Sequence, residues 1–218
     1  MINKNSYNTE LFKVQFKQTE LYRKLIDEYD EVSFDYFFEQ HYITSSPRLL
    51  LATKVCSAVP FYYLSFIDTT KPTYDLGCGA NIFKKYYPNI IGVSPELGDR
   101  FFGDEHGAVD DNYVKVHTDY FESVFSINAL HFVPLSNFRK VVDDFASMIK
   151  PGGSGFLSLN ALRMCECDTE FKNNTPAETE DWIRTQLNLM PYNFQVLDVN
   201  LEVPNAWIDG NIRMVIRK

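Results

Sequence analysis

The residues best suited to chemistry lie in one short segment, Tyr74-Asp75-Leu76-Gly77-Cys78-Gly79-Ala80-Asn81. A predicted strand enters this segment, and a strand that ends in Gly-x-Gly lets a ligand approach the backbone with no side chain in the way. Asp75 supplies a carboxylate just before Gly77 and Gly79, and Asn81 tolerates unusual backbone angles. The pattern indicates a ligand-binding turn, with a purely structural glycine turn as the alternative. The Gly-x-Gly-x-x-Gly fingerprint of nicotinamide-binding domains is absent.

Predicted strands and helices alternate from residue 71 onward, which favours a parallel sheet with helices on its faces. The apolar pattern predicts helices over residues 81–87, from Ser136 to Ile149, and from Pro176 onward. It predicts strands over residues 72–76, 90–93, 113–117, 122–128, 155–159, 194–203 and 212–216.

Three local signals set the limits of these elements. Lys150-Pro151-Gly152-Gly153 is typical of a turn that ends a helix. Thr175-Pro176-Ala177-Glu178 has the form of a capping box with proline at the first helical position. Asp209-Gly210 predicts a tight turn between the last two strands. Residues 94–112 are rich in Gly and Asp and are predicted to form a loop.

Residues 1–70 form a separate, helical N-terminal extension in this prediction. Their apolar residues recur at helical spacing, and Ser46-Pro47 predicts the start of a helix that runs to Ala58. Aromatic residues crowd residues 34–42, where they either cover a pocket as a lid or pack on the sheet. We therefore expect two parts, residues 1–70 and residues 71–218.

Asp-Leu-Gly-Cys-Gly at residues 75–79 is similar to the first motif of the class I S-adenosylmethionine-dependent methyltransferases. Residues 90–93, 121–132 and 149–153 resemble the second strand, the fourth strand and the turn before the fifth strand of that family. The resemblance covers residues 71–218 and implies an α/β fold. The expected core is a doubly wound, mostly parallel, seven-stranded Rossmann-like sheet with a C-terminal antiparallel hairpin. The implied cofactor is S-adenosylmethionine.

The resemblance also assigns roles within the glycine turn. Asp75 would orient the cofactor's ammonium group, directly or through water, and Gly77 and Gly79 would form the floor beneath it. Asn81 stands where the family often has a third glycine.

Further cofactor contacts are implied at the ends of the second and fourth strands. Ser94 occupies the position at which the family presents an acidic residue to the ribose hydroxyls, and Glu96 is the alternative two residues later. Asn128 and His131 lie near the end of the fourth strand, beside the methionine part of the cofactor.

His131 is the candidate general base if the methyl acceptor is a hydroxyl or a carbon acid. A histidine that merely packs at the strand end is the plain alternative. His117 and His41 are weaker candidates. An acceptor that is already nucleophilic needs only proximity, orientation and desolvation. Candidate partners for the adenine amino group are Asp104, Asp111 and Asp119.

Composition limits the partners and the compartment. A formal net charge of -8 disfavours nucleic acid as a substrate. No apolar stretch approaches the roughly 20 residues that span a bilayer, and no secretory signal is recognisable, which predicts the cytoplasm. The four cysteines, Cys56, Cys78, Cys165 and Cys167, do not have the spacing of a zinc site, so we expect no metal.

The sequence thus predicts a methyltransferase that acts on a small molecule or a protein side chain. The alternative is a non-catalytic binding or assembly module of the same fold, because fold alone does not decide function. Ser94, Asn81 and the irregular 94–112 segment motivate that alternative. The two hypotheses differ in whether Asp75, Glu96 and Asn128 meet at one pocket.

Overall fold

The computed structural model describes residues 64, 66–78, 81–85, 87–95, 103–200 and 211–218. The predicted helices of the N-terminal extension, the aromatic segment at 34–42, His41 and the Asp209-Gly210 turn lie outside these residues. The division of the chain near residue 70 therefore stays a prediction.

Seven strands and four α-helices are formed by the described residues. The strands are β1 (Thr73–Leu76), β2 (Ile90–Ser94), β3 (Glu105–His106), β4 (Phe121–Ile127), β5 (Ile149–Asn160), β6 (Asn193–Asn200) and β7 (Asn211–Arg217). The α-helices are α1 (Asp111–Val116), α2 (Phe138–Met148), α3 (Ala161–Glu166) and α4 (Pro176–Leu189), and 3-10 helices span Ile82–Lys85 and Leu135–Asn137.

All seven strands belong to one sheet in the order β3-β2-β1-β4-β5-β7-β6. Strands β1 to β5 pair in parallel, and β7 runs antiparallel to both β5 and β6. The doubly wound Rossmann-like fold with a C-terminal antiparallel pair is therefore confirmed. Strand order reverses between β1 and β4, and ligands of such sheets bind outside the carboxyl ends of the strands at this point.

The main core lies between the sheet and helices α2, α3 and α4. Leu76 from β1 and Phe138, Val142 and Phe145 from α2 belong to this core and are fully buried. Side chains alternate between the two faces of a strand, so Asp75 projects from the face opposite Leu76. On that second face the rings of Phe83 and Phe125 pack edge to face, with centroids 5.6 Å apart.

The prediction of a strand over residues 113–117 is wrong, because this segment belongs mainly to helix α1. The side chain of Asp110 caps the helix by accepting a hydrogen bond from the Tyr113 amide at 2.8 Å. The rings of Tyr113 and His117 then stack at 3.9 Å, a contact that helical i, i+4 spacing allows. The third strand instead lies at Glu105–His106, within the segment predicted as a loop.

The end of helix α2 predicted at residues 150–153 is confirmed, since the helix ends at Met148, but the fifth strand begins earlier than the predicted residue 155. Strand β5 begins at Ile149 and runs through these residues. They are held by the C-terminus, since the Gly152 amide donates to the Lys218 carbonyl at 2.8 Å and the Lys218 amide donates to Gly153 at 3.2 Å. Lys218, which is distant in sequence, thus pairs with Gly152 and Gly153, and no local sequence pattern predicts this pairing.

The start of helix α4 follows the local signal closely. Thr175 accepts from the Glu178 amide at 3.3 Å, and Glu178 accepts from the Thr175 amide at 2.8 Å, so the capping box is confirmed. The helix predicted from Ser136 begins two residues later, at Phe138, because a 3-10 turn at Leu135–Asn137 precedes it and Asn137 is the N-cap. Helix α3 was not predicted.

Candidate functional site

A pocket of about 780 Å³ lies at the carboxyl ends of β1, β2 and β4, where the strand order reverses. This volume falls within the roughly 300–1,000 Å³ of typical ligand sites. Three predicted site residues, one from the end of each of these strands, line the pocket together: Gly77, Ser94 and Asn128. The remaining lining residues are Pro95, Gly107, Ala108, Val109, Asp111, Ala129, Leu130, Phe132, Val133, Asn137, Lys140, Val141, Asp144 and Phe145.

Gly77 is needed at the floor for two reasons. Its φ of +82° belongs to the left-handed region, and a Cβ on it would lie 2.3 Å from Cβ of Ala129. Its amide donates to the Val93 carbonyl at 2.9 Å, which ties the turn after β1 to the end of β2. The absence of a side chain lets the ends of β1 and β4 approach each other closely.

Ser94 ends β2 on the adjacent wall of the pocket. The residue is 1% exposed, and its carbonyl accepts from the Gly107 amide at 2.9 Å. This bond brings the segment after β3, Gly107 to Val109, beside Ser94 at the pocket. A hydroxyl therefore stands where the family resemblance implies a carboxylate, and one hydroxyl is a poorer bidentate acceptor.

Asn128 forms the corner after β4 with a φ of +52°, a conformation that asparagine adopts more readily than most residues. Strand β5 holds it twice. The Asn128 amide donates to the Ser158 carbonyl at 3.0 Å, and the Ser158 hydroxyl donates to Oδ1 of Asn128 at 3.0 Å. These two bonds fix the backbone and the side chain of Asn128 at the pocket.

Asp75 is buried beneath the glycine turn and does not line the pocket. It is 2% exposed, and its Oδ2 has no hydrogen-bond partner. Burial raises the pKa of this carboxyl well above its usual value near 3.8. A buried carboxyl oxygen without a donor is costly, so this atom is suited to a donor that arrives with a ligand.

His131 lies behind the pocket wall. It is 7% exposed, its ring packs on Phe132 with centroids 4.4 Å apart, and its Nδ1 has no hydrogen-bond partner. Burial lowers the pKa of the imidazole to about 4, with a further contribution from the charge of Arg163. The ring is therefore neutral at physiological pH, but its neighbours Leu130 and Phe132, and not His131 itself, line the pocket.

The other predicted cofactor contacts do not join this group. Asn81 turns its side chain to Asp104, with Nδ2 donating to Oδ2 at 3.0 Å, and it does not line the pocket. Gly79 and Glu96 lie outside the described residues. Asp75, Glu96 and Asn128 were the three residues whose meeting at one pocket would distinguish the two hypotheses. Of the two that the structure describes, Asn128 lines the pocket and Asp75 does not.

One of the three candidate adenine partners lines the pocket. Asp111 does so, and it accepts a hydrogen bond from Lys140 of α2 at 2.7 Å. Asp104 is bound to Gly92 and Asn81, and Asp119 accepts from Lys218 at 2.6 Å, away from the pocket. His117 stacks on Tyr113 and does not line the pocket either.

The α2 side of the pocket is not among the sequence predictions. Val141 and Phe145 supply apolar surface, and the Nζ of Lys140 lies 2.6 Å from Asp144. The available signal is the apolar stripe of α2, which by itself indicates core packing and does not show that one edge of the stripe faces a pocket.

Two of the three described cysteines, Cys78 and Cys165, are buried. Burial raises the pKa of the Cys78 thiol to about 12, so the thiol stays protonated. None of the three described cysteines forms a disulfide, and Cys167 is exposed. Among the residues that the structure describes, no group of His, Cys, Asp and Glu could hold a metal ion.

No protein-family model matches the sequence, and no curated protein matches it. Similar solved structures exist. A methyltransferase described as SAM-dependent from Archaeoglobus fulgidus has 14% identity and a TM-score of 0.48, over 84% of this chain and 100% of that one. The CurJ carbon methyltransferase has 12% identity and a TM-score of 0.45, over 74% of this chain. This chain spans about half of CurJ, 52% of its length.

A third similar structure, a fibrillarin from Methanococcus jannaschii named as a pre-rRNA processing protein, has 10% identity and a TM-score of 0.44. It aligns over 68% of this chain and 66% of its own. The expectation that nucleic acid is disfavoured is not supported by these comparisons and stays a prediction. Function has to be argued from the site itself.

None of the helices in the described part of the chain is both long enough and apolar enough to cross a membrane. The cytoplasmic location stays a prediction.

Proposed function

We propose that this protein is an S-adenosylmethionine-dependent methyltransferase that acts on a small molecule or on a protein side chain. The observation that carries the proposal is the meeting of Gly77, Ser94 and Asn128 at one pocket. They come from the ends of three different strands, at the point where an open α/β sheet binds its ligands.

The residues present fit the cofactor in one respect that can be read from the site. Oδ2 of Asp75 is buried without a hydrogen-bond partner, and an ammonium group brought beside it would favour the ionised carboxylate, an acceptor of opposite charge. Gly77 would lie beneath the cofactor, Ser94 would accept from the ribose, and Asn128 would face the methionine end. Bound there, S-adenosylmethionine would supply an electrophilic methyl group to a nucleophile.

The pocket lining favours an acceptor that is already nucleophilic. Ala129, Leu130, Val133, Val141 and Phe145 give the pocket an apolar wall, and desolvation with correct orientation can be enough for such an acceptor. A general-base role of His131 is supported by its neutral state and not by its position behind the wall. The N-terminal extension is proposed as the lid over the acceptor.

Calorimetric titration with S-adenosylmethionine and with S-adenosylhomocysteine tests the proposal. We expect micromolar binding of both, with proton release, because an ammonium group beside Asp75 favours the ionised carboxylate over the protonated form that burial favours. Titration in two buffers of different ionisation enthalpy measures the protons released. Asp75→Asn keeps the shape of the side chain and should abolish both the proton release and most of the affinity.

The absence of heat and of any thermal shift at millimolar cofactor would refute the methyltransferase proposal. Binding that Asp75→Asn leaves unchanged would keep the cofactor but remove the assigned role of Asp75. A protein variant whose circular dichroism matches that of the wild type is required for either conclusion.

A non-catalytic module is the second candidate, and two observations favour it. Asp75 is buried and does not line the pocket. Ser94 stands at the end of β2 where a carboxylate would bind the ribose, and the pocket beside it is otherwise largely apolar. A module of this kind would bind neither S-adenosylmethionine nor S-adenosylhomocysteine, so the same titration separates the two candidates.

A further inference from the structure

Asp104 joins strand β2 to the residues after the glycine turn. The Asp104 amide donates to the Gly92 carbonyl at 2.7 Å, and the Gly92 amide donates back to Oδ2 of Asp104 at 2.8 Å. The second bond uses a side chain in place of a backbone carbonyl. Asp104 is therefore fixed to the middle of β2, one residue before β3 begins.

The same carboxylate oxygen also holds Asn81. Nδ2 of Asn81 donates to Asp104 Oδ2 at 3.0 Å, and the Asn81 amide donates to the Cys78 carbonyl at 2.9 Å. Asn81 is 8% exposed and has a φ of +50°, a conformation that is costly for most residues other than glycine. Asn81 thus closes the turn that starts at Gly77, and Asp104, which is not part of the turn, binds its side chain.

Gly92 provides the space for this contact. A Cβ on Gly92 would lie 2.6 Å from Cγ, 2.7 Å from Nδ2 and 2.7 Å from Oδ1 of Asn81, and these are its three nearest atoms. Asn81 therefore packs directly on the bare backbone of β2. The interaction needs both a carboxylate at residue 104 and no side chain at residue 92.

Lys84 completes the cluster by pairing with Oδ1 of Asp104 from the 3-10 helix after the turn. Burial of the Asp104 carboxyl raises its pKa, but the hydrogen bonds from Lys84, Gly92 and Asn81 outweigh burial and lower the pKa overall. The carboxylate is therefore ionised at neutral pH, the form that accepts all three bonds.

We propose that Asp104 is a positioning residue for the cofactor-binding turn and that it acts through Asn81. The consequence for the cofactor rests on the proposed function. A third glycine would adopt a positive φ without strain and would need no partner, whereas asparagine is held in place by Asp104 and by the space above Gly92. With glycine at residue 81, cofactor affinity should therefore no longer depend on Asp104 or on the lack of a side chain at residue 92, although Asp104 would still bind Gly92 and Lys84.

A double-mutant cycle of Asp104→Ala and Asn81→Gly tests this coupling. Two quantities are measured for all four proteins: the affinity for S-adenosylhomocysteine and the thermal midpoint of the protein without ligand. Asp104→Ala should weaken binding about tenfold and lower the midpoint in the wild-type background. In the Asn81→Gly background the same substitution should weaken binding by less than about threefold. Asp104→Asn, which keeps one acceptor oxygen, replaces Asp104→Ala if the latter does not fold.

Gly92→Ala gives an independent arm of the same experiment. It should lower affinity and midpoint in the wild-type background, and Asn81→Gly should restore both, because the clashing side chain is then gone. Glu180→Ala is the matched control. It removes an acidic partner that accepts two bonds from Arg184 on α4, and it should leave affinity unchanged.

The proposal would be overturned if Asp104→Ala lowered the affinity for S-adenosylhomocysteine equally in the wild type and in Asn81→Gly. Asp104 would then act on the edge of strand β2 and not through Asn81. Failure of the wild type to bind S-adenosylhomocysteine would refute the proposed function and, with it, the cofactor role of Asp104. The thermal midpoints without ligand would still test the contact between Asp104 and Asn81. If the midpoint changes of the two single variants add up in the double variant, the contact is contradicted, and if they do not add up, the contact is established.

Discussion

Two buried side chains near the pocket, Asp75 and His131, each carry a polar atom without a hydrogen-bond partner. Burial raises the pKa of the acid and lowers the pKa of the base, so burial favours the neutral form of both. The sequence predicted these residue types at the ends of β1 and β4, because glycine turns and strand ends can be recognised locally. It could not predict that His131 is buried outside the pocket lining, since this placement depends on packing in the loop after β4.

His131 should make the protein less stable as the pH falls from about 6.5 to about 4. Its pKa in the folded protein is about 4, below its usual value of 6.5, so the unfolded chain binds the proton more readily across this range. Urea denaturation at about pH 7.5 and about pH 5 measures the free energy of unfolding. His131→Gln should reduce the loss between the two pH values.

The exposed His106 provides the control for that experiment. His106→Gln removes an imidazole without changing a buried site, and it should leave the pH dependence as in the wild type. If the wild type and His131→Gln lost the same free energy of unfolding between the two pH values, His131 would not be the cause of the pH dependence.

Ser94 should limit the affinity for the cofactor. Ser94→Asp places a carboxylate at the pocket wall, where it can accept from both ribose hydroxyls, and we expect S-adenosylhomocysteine to bind several-fold more tightly. Ser94→Ala should bind more weakly than the wild type. No change in either variant, together with a loss of binding in Glu96→Ala, would transfer this role to Glu96.

At the scale of elements, the correct predictions rest on local signals, one error comes from a long-range contact, and the other comes from a local helix cap that the sequence analysis missed. The capping box at Thr175 needs only four consecutive residues, so the sequence predicts it correctly. Strand β5 extends through residues 150–153 because Lys218, far along the chain, pairs with them. Residues 113–117 alternate like a strand, but the cap at Asp110 and the stacking of Tyr113 on His117 favour a helix.

Helix α1 should affect the pocket through its N-cap. Asp110→Ala removes the acceptor for the Tyr113 amide and should lower the free energy of unfolding by about 1 kcal/mol. Because Val109 and Asp111 beside the cap line the pocket, affinity for S-adenosylhomocysteine should also fall. Chemical denaturation and calorimetry measure the two effects.

Thr175→Ala is the matched control for this cap. It removes the N-cap of α4, away from the pocket, and should cost a similar free energy of unfolding, about 1 kcal/mol, without changing affinity. Equal effects of the two substitutions on affinity would contradict a specific role of α1 at the pocket.

For the whole molecule, the alternation of predicted strands and helices was enough to predict the doubly wound sheet correctly. The shape of the pocket could not be predicted in this way. One of its walls is formed by the apolar stripe of α2, and in the sequence this stripe has the same pattern as residues that pack in the core. The charge of -8 still predicts weak binding to nucleic acid, and filter binding of single-stranded RNA at physiological salt would test it.

A crystal structure with S-adenosylhomocysteine tests the central claim most directly. We predict that the ligand occupies the pocket at the carboxyl ends of β1, β2 and β4, in contact with Gly77, Ser94 and Asn128. A pocket that stays empty at saturating ligand, or a ligand bound elsewhere, would contradict the account.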